Sequence, residues 1–210
     1  MFDFAANRPA SAAATRVDHG LVAGTLLATA AGWRAVEDIR SGDEVLTFDG
    51  GLQRVVSVVR QRRICGGRAA DRSTWPLLVP AGVLGNREEI TLLPDQSVLV
   101  ESDAAEAVFG DPFALVPALA LDGFRGICRV PPQAVADVVI LRFAQDEVVF
   151  ASAGALVHCP AAHDLLSDAP ASIYASLTLA QADLLVQHLR LEDEGLFDTA
   201  LALTTFHEAA

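Results

Sequence analysis

Cysteine is scarce in this chain: Cys65, Cys128 and Cys159 are the only three in 210 residues. None stands in a Cys-x-x-Cys unit or in a Cys/His pair spaced for zinc, which excludes the common structural zinc sites. An odd, sparse set fits free thiols in a reducing compartment, with one bridge left open. Basic residues are also few, 15 against 27 acidic, for a formal net charge of −12. Phosphate recognition needs basic patches, so nucleic acid is not expected as a main partner, and the charge reads as a solubility feature. No apolar run approaches the roughly 20 residues of a membrane helix. The first 18 residues, MFDFAANRPASAAATRVD, lack the basic start and apolar core of a secretory signal. The cytoplasm is therefore the expected location, with export by a route without a cleaved signal left open.

Apolar residues are not scarce. They make up 52% of the chain, enough for a substantial core. Residues 1–18 are Ala-rich and read as a loosely held leader. From residue 21 the texture becomes short apolar runs cut by turn residues. Extended segments are expected at 24–29, 33–36, 44–48, 52–59, 75–79, 89–93, 97–101, 114–116, 126–130, 138–143 and 147–151. In 44–48 the alternation sends Val45 and Thr47 one way, Leu46 and Phe48 the other. Asp49-Gly50-Gly51 is a hairpin signal. The tail differs. Thr178-Leu179-Ala180-Gln181 is a capping box opening a helix to about Arg190. Leu179, Ala182, Leu185, Val186 and Leu189 share one face of it. A further short helix is expected over 160–166. The fold class is thus mostly β with a short helical C-terminal tail: leader 1–18, β domain 19–160, helical extension 161–210.

The residues Gly24, Thr25, Thr29, Gly32, Val36, Glu37, Asp38, Ile39, Gly42, Asp43, Val45, Leu46, Thr47 and Asp49 form a dense pattern. It resembles the start of the bacterial branch of Hint domains, the hedgehog/intein module. Three further stretches are similar to segments of that family: WPLLVPAGVLGN (75–86), LLPDQSVLVES (92–102) and VVILRFAQDEVVFASAGALVHCP (138–160). The resemblance covers roughly 20–160. It implies a flattened β horseshoe with pseudo-twofold symmetry, and protein-splicing-type chemistry. In that chemistry a Cys, Ser or Thr attacks the preceding carbonyl. A proton donor serves the departing backbone nitrogen, and polar donors hold the oxyanion.

The resemblance also locates the reactive positions, and each is altered here. The nucleophile, four residues before the Gly-Thr pair, falls on Gly20, which has no side chain. The family's Ser-Pro-Gln-His falls on Leu93, Pro94, Asp95 and Gln96, so a hydroxyl becomes aliphatic and an imidazole becomes an amide. The late-strand histidine falls on Asp146. A glycine cannot receive an acyl group, and an amide cannot deliver a proton near neutral pH. The expectation is a pseudoenzyme: an inactive Hint-fold domain kept for binding or scaffolding, without cofactor or metal and with no named protein partner. The alternative is residual self-cleavage by N-to-S/O acyl shift using a shifted nucleophile. Thr25 and Thr29 read as strand residues or structural hydroxyls. His158-Cys159 resembles an intein terminus without its Asn and reads as a packed strand end. His163, His188 and His207 read as surface residues, Cys65 and Cys128 as inert small apolar ones. Asp95 and Asp146 would pair over a cation only if the family geometry brought them together, and acidic turn residues are usually solvated. The C-terminal helix is expected to pack on the β domain rather than dock a partner.

Overall fold

A computed structural model of the chain describes residues 19–64, 71–132, 135–162, 174 and 176–195. The expected leader at 1–18, together with Cys65, His163 and His207, lies outside the described residues. The strands are β1 (Leu21–Val22), β2 (Leu26–Thr29), β3 (Gly32–Ala35), β4 (Glu44–Thr47), β5 (Gly51–Arg54), β6 (Ser57–Ile64) and β7 (Leu77–Val79). They continue as β8 (Ile90–Leu92), β9 (Ser97–Glu101), β10 (Phe113–Pro117), β11 (Cys128–Arg129), β12 (Val135–Arg142), β13 (Glu147–Ala151) and β14 (Ala155–Cys159). Among the described residues two α-helices accompany them, α1 (Asp103–Phe109) and α2 (Leu179–Asp193). The architecture is mostly β, with a helix near the C-terminal end of the described chain.

Among the described residues the strands form two sheets. One runs β11-β7-β8-β1-β12-β6, the other β10-β9-β14-β13-β2-β4-β5 with β3 paired to β2. Every pairing between these strands is antiparallel, so alternate side chains divide between faces. Val45 and Thr47 are buried while Leu46 and Phe48 are exposed, as the alternation of β4 demands. A single cluster, including Leu27, Val45, Val98, Val149 and Val157 of one sheet and Leu21, Leu77, Leu92, Val139 and Leu141 of the other, forms the main core.

Local chemistry explains where the strands stop. The β4–β5 hairpin closes at Thr47↔Gly51, with Gly51 at φ +66°, a conformation cheap only for glycine. The strand expected at 52–59 is two strands. Between them Val55 turns inward, 1% exposed, and donates its N–H to the Asp43 carbonyl. That interruption lets β5 stay in one sheet while β6 joins the other. Helix α1 follows Ser102, whose hydroxyl accepts from the Ala105 N–H, and ends at Gly110 with φ +79°. In the 160–166 segment, expected as helix, Ala161 instead forms a bridge to Phe143; residues 163–166 lie outside the described part.

Helix α2 opens on the expected capping box. Thr178 accepts from the Gln181 N–H, and the Gln181 side chain accepts from the Thr178 N–H. Ala182, Leu185, Val186 and Leu189 are buried, whereas Leu179 is exposed. The helix packs on the β body, against β10 and the 3-10 turn Ala118–Leu121. Its C-terminal end is tied at two points: Arg125 forms a forked ion pair with Asp193, and Glu192 accepts from the Ala104 N–H at 3.2 Å. Leu185→Ala is expected to lower unfolding free energy by about 3 kcal/mol in urea denaturation. Leu179→Ala on the exposed face should change it by less than about 0.5 kcal/mol.

Candidate functional site

The segment Leu93-Pro94-Asp95-Gln96 is a tight turn between β8 and β9, closed by the Gln96 N–H on the Leu93 carbonyl at 3.0 Å. It drives Leu93 and Gln96 inward and leaves Asp95 exposed. Gln96 is 3% exposed, and its side chain is saturated. Oε1 accepts from the Gly20 N–H at 2.8 Å; Nε2 donates to the His158 carbonyl at 2.8 Å and to the Ser97 carbonyl at 3.1 Å. One amide group thereby joins the entry to β1, the start of β9 and the end of β14. A buried amide with any of these bonds missing would forfeit about 1–3 kcal/mol.

Gly20 sits at φ +118°, where a β-carbon is strained. Space is missing as well. A Cβ built on Gly20 would approach Val138 Cγ1 at 2.8 Å, Ile140 Cγ1 at 3.0 Å and the Val139 carbonyl oxygen at 3.3 Å. The register of β1 against β12 explains the crowding: Leu21 pairs with Val139 and Val22 with Val138, and the same antiparallel register carried back one residue brings Gly20 opposite Ile140. Val138 and Ile140 belong with Leu93 to a small apolar cluster that has Val22 at its edge.

On the other side, the β13–β14 hairpin supplies Asp146 and His158. Asp146 is buried, unlike the solvated turn residue expected, and its Oδ1 accepts from the Ala161 N–H at 2.7 Å. His158 Nε2 lies 3.6 Å from Asp146 Oδ2, beyond hydrogen-bond reach. Burial holds the His158 imidazole below its ordinary pKa, and the nearby Asp146 charge opposes this only in part. Tyr174 approaches His158 edge-on at 6.3 Å between ring centres and donates its hydroxyl to Asp49 at 2.6 Å. Burial and that acceptor push the Tyr174 phenol up. Gly20, Gln96, His158 and Asp146 are thus brought together, and Asp95 faces solvent. Among the described residues no group of three or more His, Cys, Asp or Glu side chains gathers to hold a metal ion.

The remaining candidates are occupied elsewhere. Thr25 Oγ1 donates to the Val22 carbonyl at 2.7 Å, and Thr29 Oγ1 to the Gly32 carbonyl at 2.6 Å. Cys159 is a free, buried thiol with a pKa pushed up to about 12, chiefly by burial. Cys128, read as an inert apolar residue, is free and exposed on β11. His188 lies on α2, its Nδ1 2.9 Å from the Leu184 carbonyl. Glu147, not anticipated as a site residue, is 1% exposed; Oε1 accepts from Gln145, while Oε2 has no partner among the described residues. The alternation of 147–151 held the signal, because Glu147 shares the inward face with Val149 and Ala151. Tyr174 and Asp49 are 125 residues apart, and no local pattern links them.

Two outcomes follow from this geometry. Gly20→Ala is expected to cost at least about 2 kcal/mol in chemical denaturation, from strained φ and overpacking together. His158 is half-buried, and desolvation lowers its pKa from 6.5, which favours the neutral ring in the fold. As pH falls below 6.5 the unfolded chain takes up this proton first, so stability is lost on acidification until the folded pKa is passed. Urea unfolding at about pH 7.5 and about pH 5.5 should show that loss, and His158→Gln should reduce it.

The sequence model of the Hint domain family matches residues 19–158. No curated protein matches. Solved structures with some likeness include a bacterial intein-like domain from Clostridium thermocellum, at 19% identity and a TM-score of 0.48, covering 67% of this chain and 98% of that one. The gp41-1 intein has 12% identity and a TM-score of 0.42, covering 67% and 98%. The MchDnaB-1 intein has 17% identity and a TM-score of 0.39, covering 65% and 98%. The match of the family's sequence model spans two of every three residues, including Gly20, Gln96, Asp146 and His158, and on it this chain belongs to the Hint domain family.

Proposed function

We propose that this chain is a catalytically silent Hint domain, retained for binding or scaffolding. The observation that carries the reading is Gly20. An acyl shift would require a side-chain nucleophile at that residue to attack the His19 carbonyl, while the departing Gly20 nitrogen gains a proton. Gly20 offers no nucleophile. Its N–H is bound to Gln96 Oε1, a neutral acceptor that supplies no proton to that nitrogen. Val138 and Ile140 occupy the space into which a side chain would project.

The neighbouring groups support the same reading. The Thr25 and Thr29 hydroxyls are committed to backbone carbonyls, and the Cys159 thiol stays protonated at neutral pH. His158 turns its carbonyl, not its ring, toward Gln96, and its ring faces Asp146 and Tyr174. What remains of the reactive centre is a buried polar joint within an intact β frame, which suits a domain that holds other molecules rather than cutting itself.

Intact-mass spectrometry checks this. The purified full chain is expected to keep its mass through days at neutral pH, with and without added thiol. Hydroxylamine, which traps esters and thioesters, should release nothing. A fragment beginning at or near Gly20 would overturn the reading in favour of residual self-cleavage.

A further inference from the structure

The eight-stranded sheet has an outer face as well as a core face, and that outer face is unevenly covered. Over β9, β10 and β13, Leu99, Leu115 and Val148 are buried beneath Phe113, Leu156 and Tyr174. Toward β3, β4 and β5 the same face is open, with Trp33 47%, Leu46 37%, Phe48 37% and Leu52 47% exposed. The register explains their grouping. Leu46 pairs directly with Leu52, Thr29 pairs with Val45 so that Ala28 lies beside Leu46, and Trp33 pairs with Ala28. Trp33, Ala28, Leu46 and Leu52 therefore form one row across four strands, about 14 Å long at the usual strand spacing, in which Ala28 is buried and the other three are open to solvent. Contiguous apolar rows of this kind on a protein surface mark interaction sites.

The neighbouring row on the same face is charged. Glu44 pairs directly with Arg54, two residues along each strand from Leu46 and Leu52, and both are exposed. Neither charge is taken up by an ion pair among the described residues. This pairing suits one particular partner. A twofold axis lying along the strands, between β4 and β5, carries β4 of one copy over β5 of the other. It sets Leu46 over the second copy's Leu52, Glu44 over its Arg54, and the reverse. A surface that meets itself must carry its own complement, and opposite charges side by side on one hairpin provide it.

We propose that the outer face of the β4–β5 hairpin is a twofold interface between two copies of this chain, with the Leu46/Leu52 rung at its centre and Glu44 and Arg54 paired across it. Trp33 stands two strands further out, at the rim. The proposal goes beyond the silent-domain reading and does not depend on it, since association and self-cleavage are read by different measurements.

Sedimentation velocity on the full chain, over a hundredfold range of concentration, tests it. A monomer–dimer equilibrium is expected. Leu52→Lys should leave only monomer, with the β-sheet circular dichroism of the parent. Glu44→Arg alone and Arg54→Glu alone should each weaken the dimer about tenfold, because like charges then face one another across the axis. The double exchange, Glu44→Arg with Arg54→Glu, should restore the parent affinity, which keeps the proposal testable if Leu52→Lys fails to fold. A parent chain that stays monomeric throughout would overturn the proposal. So would a dimer indifferent to these substitutions, or a double exchange no better than the singles.

Discussion

A hydrogen bond from the Gly20 backbone to the Gln96 side chain organises the centre of this domain. It is buried, it joins positions 76 residues apart, and it is one of three bonds made by a single amide. A neutral imidazole offers one acceptor and one donor; a glutamine amide offers an acceptor oxygen and two donor hydrogens. At this position glutamine grips the Gly20 N–H while holding the Ser97 and His158 carbonyls. Every polar atom that Gln96 carries into the interior is thereby satisfied, which is what its burial requires. The amide at this position suits anchorage, since it holds three backbone groups at once.

The apolar side of the site follows the same logic. Leu93 stands where the resemblance places a hydroxyl and packs on Val138 and Ile140, the two side chains that fill the space a group on Gly20 would need. Close packing makes such a replacement cooperative: once aliphatic groups meet the Gly20 backbone, a β-carbon there has nowhere to go. The surrounding frame keeps its own demands. Asn86, 1% exposed, staples the 80–88 turn by accepting from the Leu84 N–H and donating to the Pro80 and Glu88 carbonyls. That turn then meets the 151–154 turn so closely that a Cβ on Gly154 would stand 1.9 Å from the Gly85 carbonyl oxygen. Packing constraints of this sort preserve a fold whether or not its chemistry survives.

Much of this was legible in the chain because it is local. The alternation of 44–48 assigns Leu46 and Phe48 outward, and the Thr178–Gln181 box opens α2. Gly20 is picked out only through the Hint resemblance, which places its reactive position four residues before the Gly24-Thr25 pair. The parts that escaped reading depend on distant partners. Nothing near Gln96 signals that its oxygen meets Gly20 and its nitrogen meets His158. Asp146 reads as a solvated turn residue until Ala161 is seen donating to it. Helix α1 is too short to show a clear apolar stripe, and its cap at Ser102 is visible only in retrospect. The break between β5 and β6 is set by Val55 turning into a core whose other members are remote in sequence.

The centre of the domain depends on the Gly20 amide being held inside the fold by Gln96. Native-state hydrogen exchange, followed by NMR on the full chain, reads that bond directly. Protection of the Gly20 amide comparable with that of the β12 amides is predicted, as is its selective loss in Gln96→Ala while β12 stays protected. Exchange of the Gly20 amide at the rate of a free peptide in the parent chain would contradict the account.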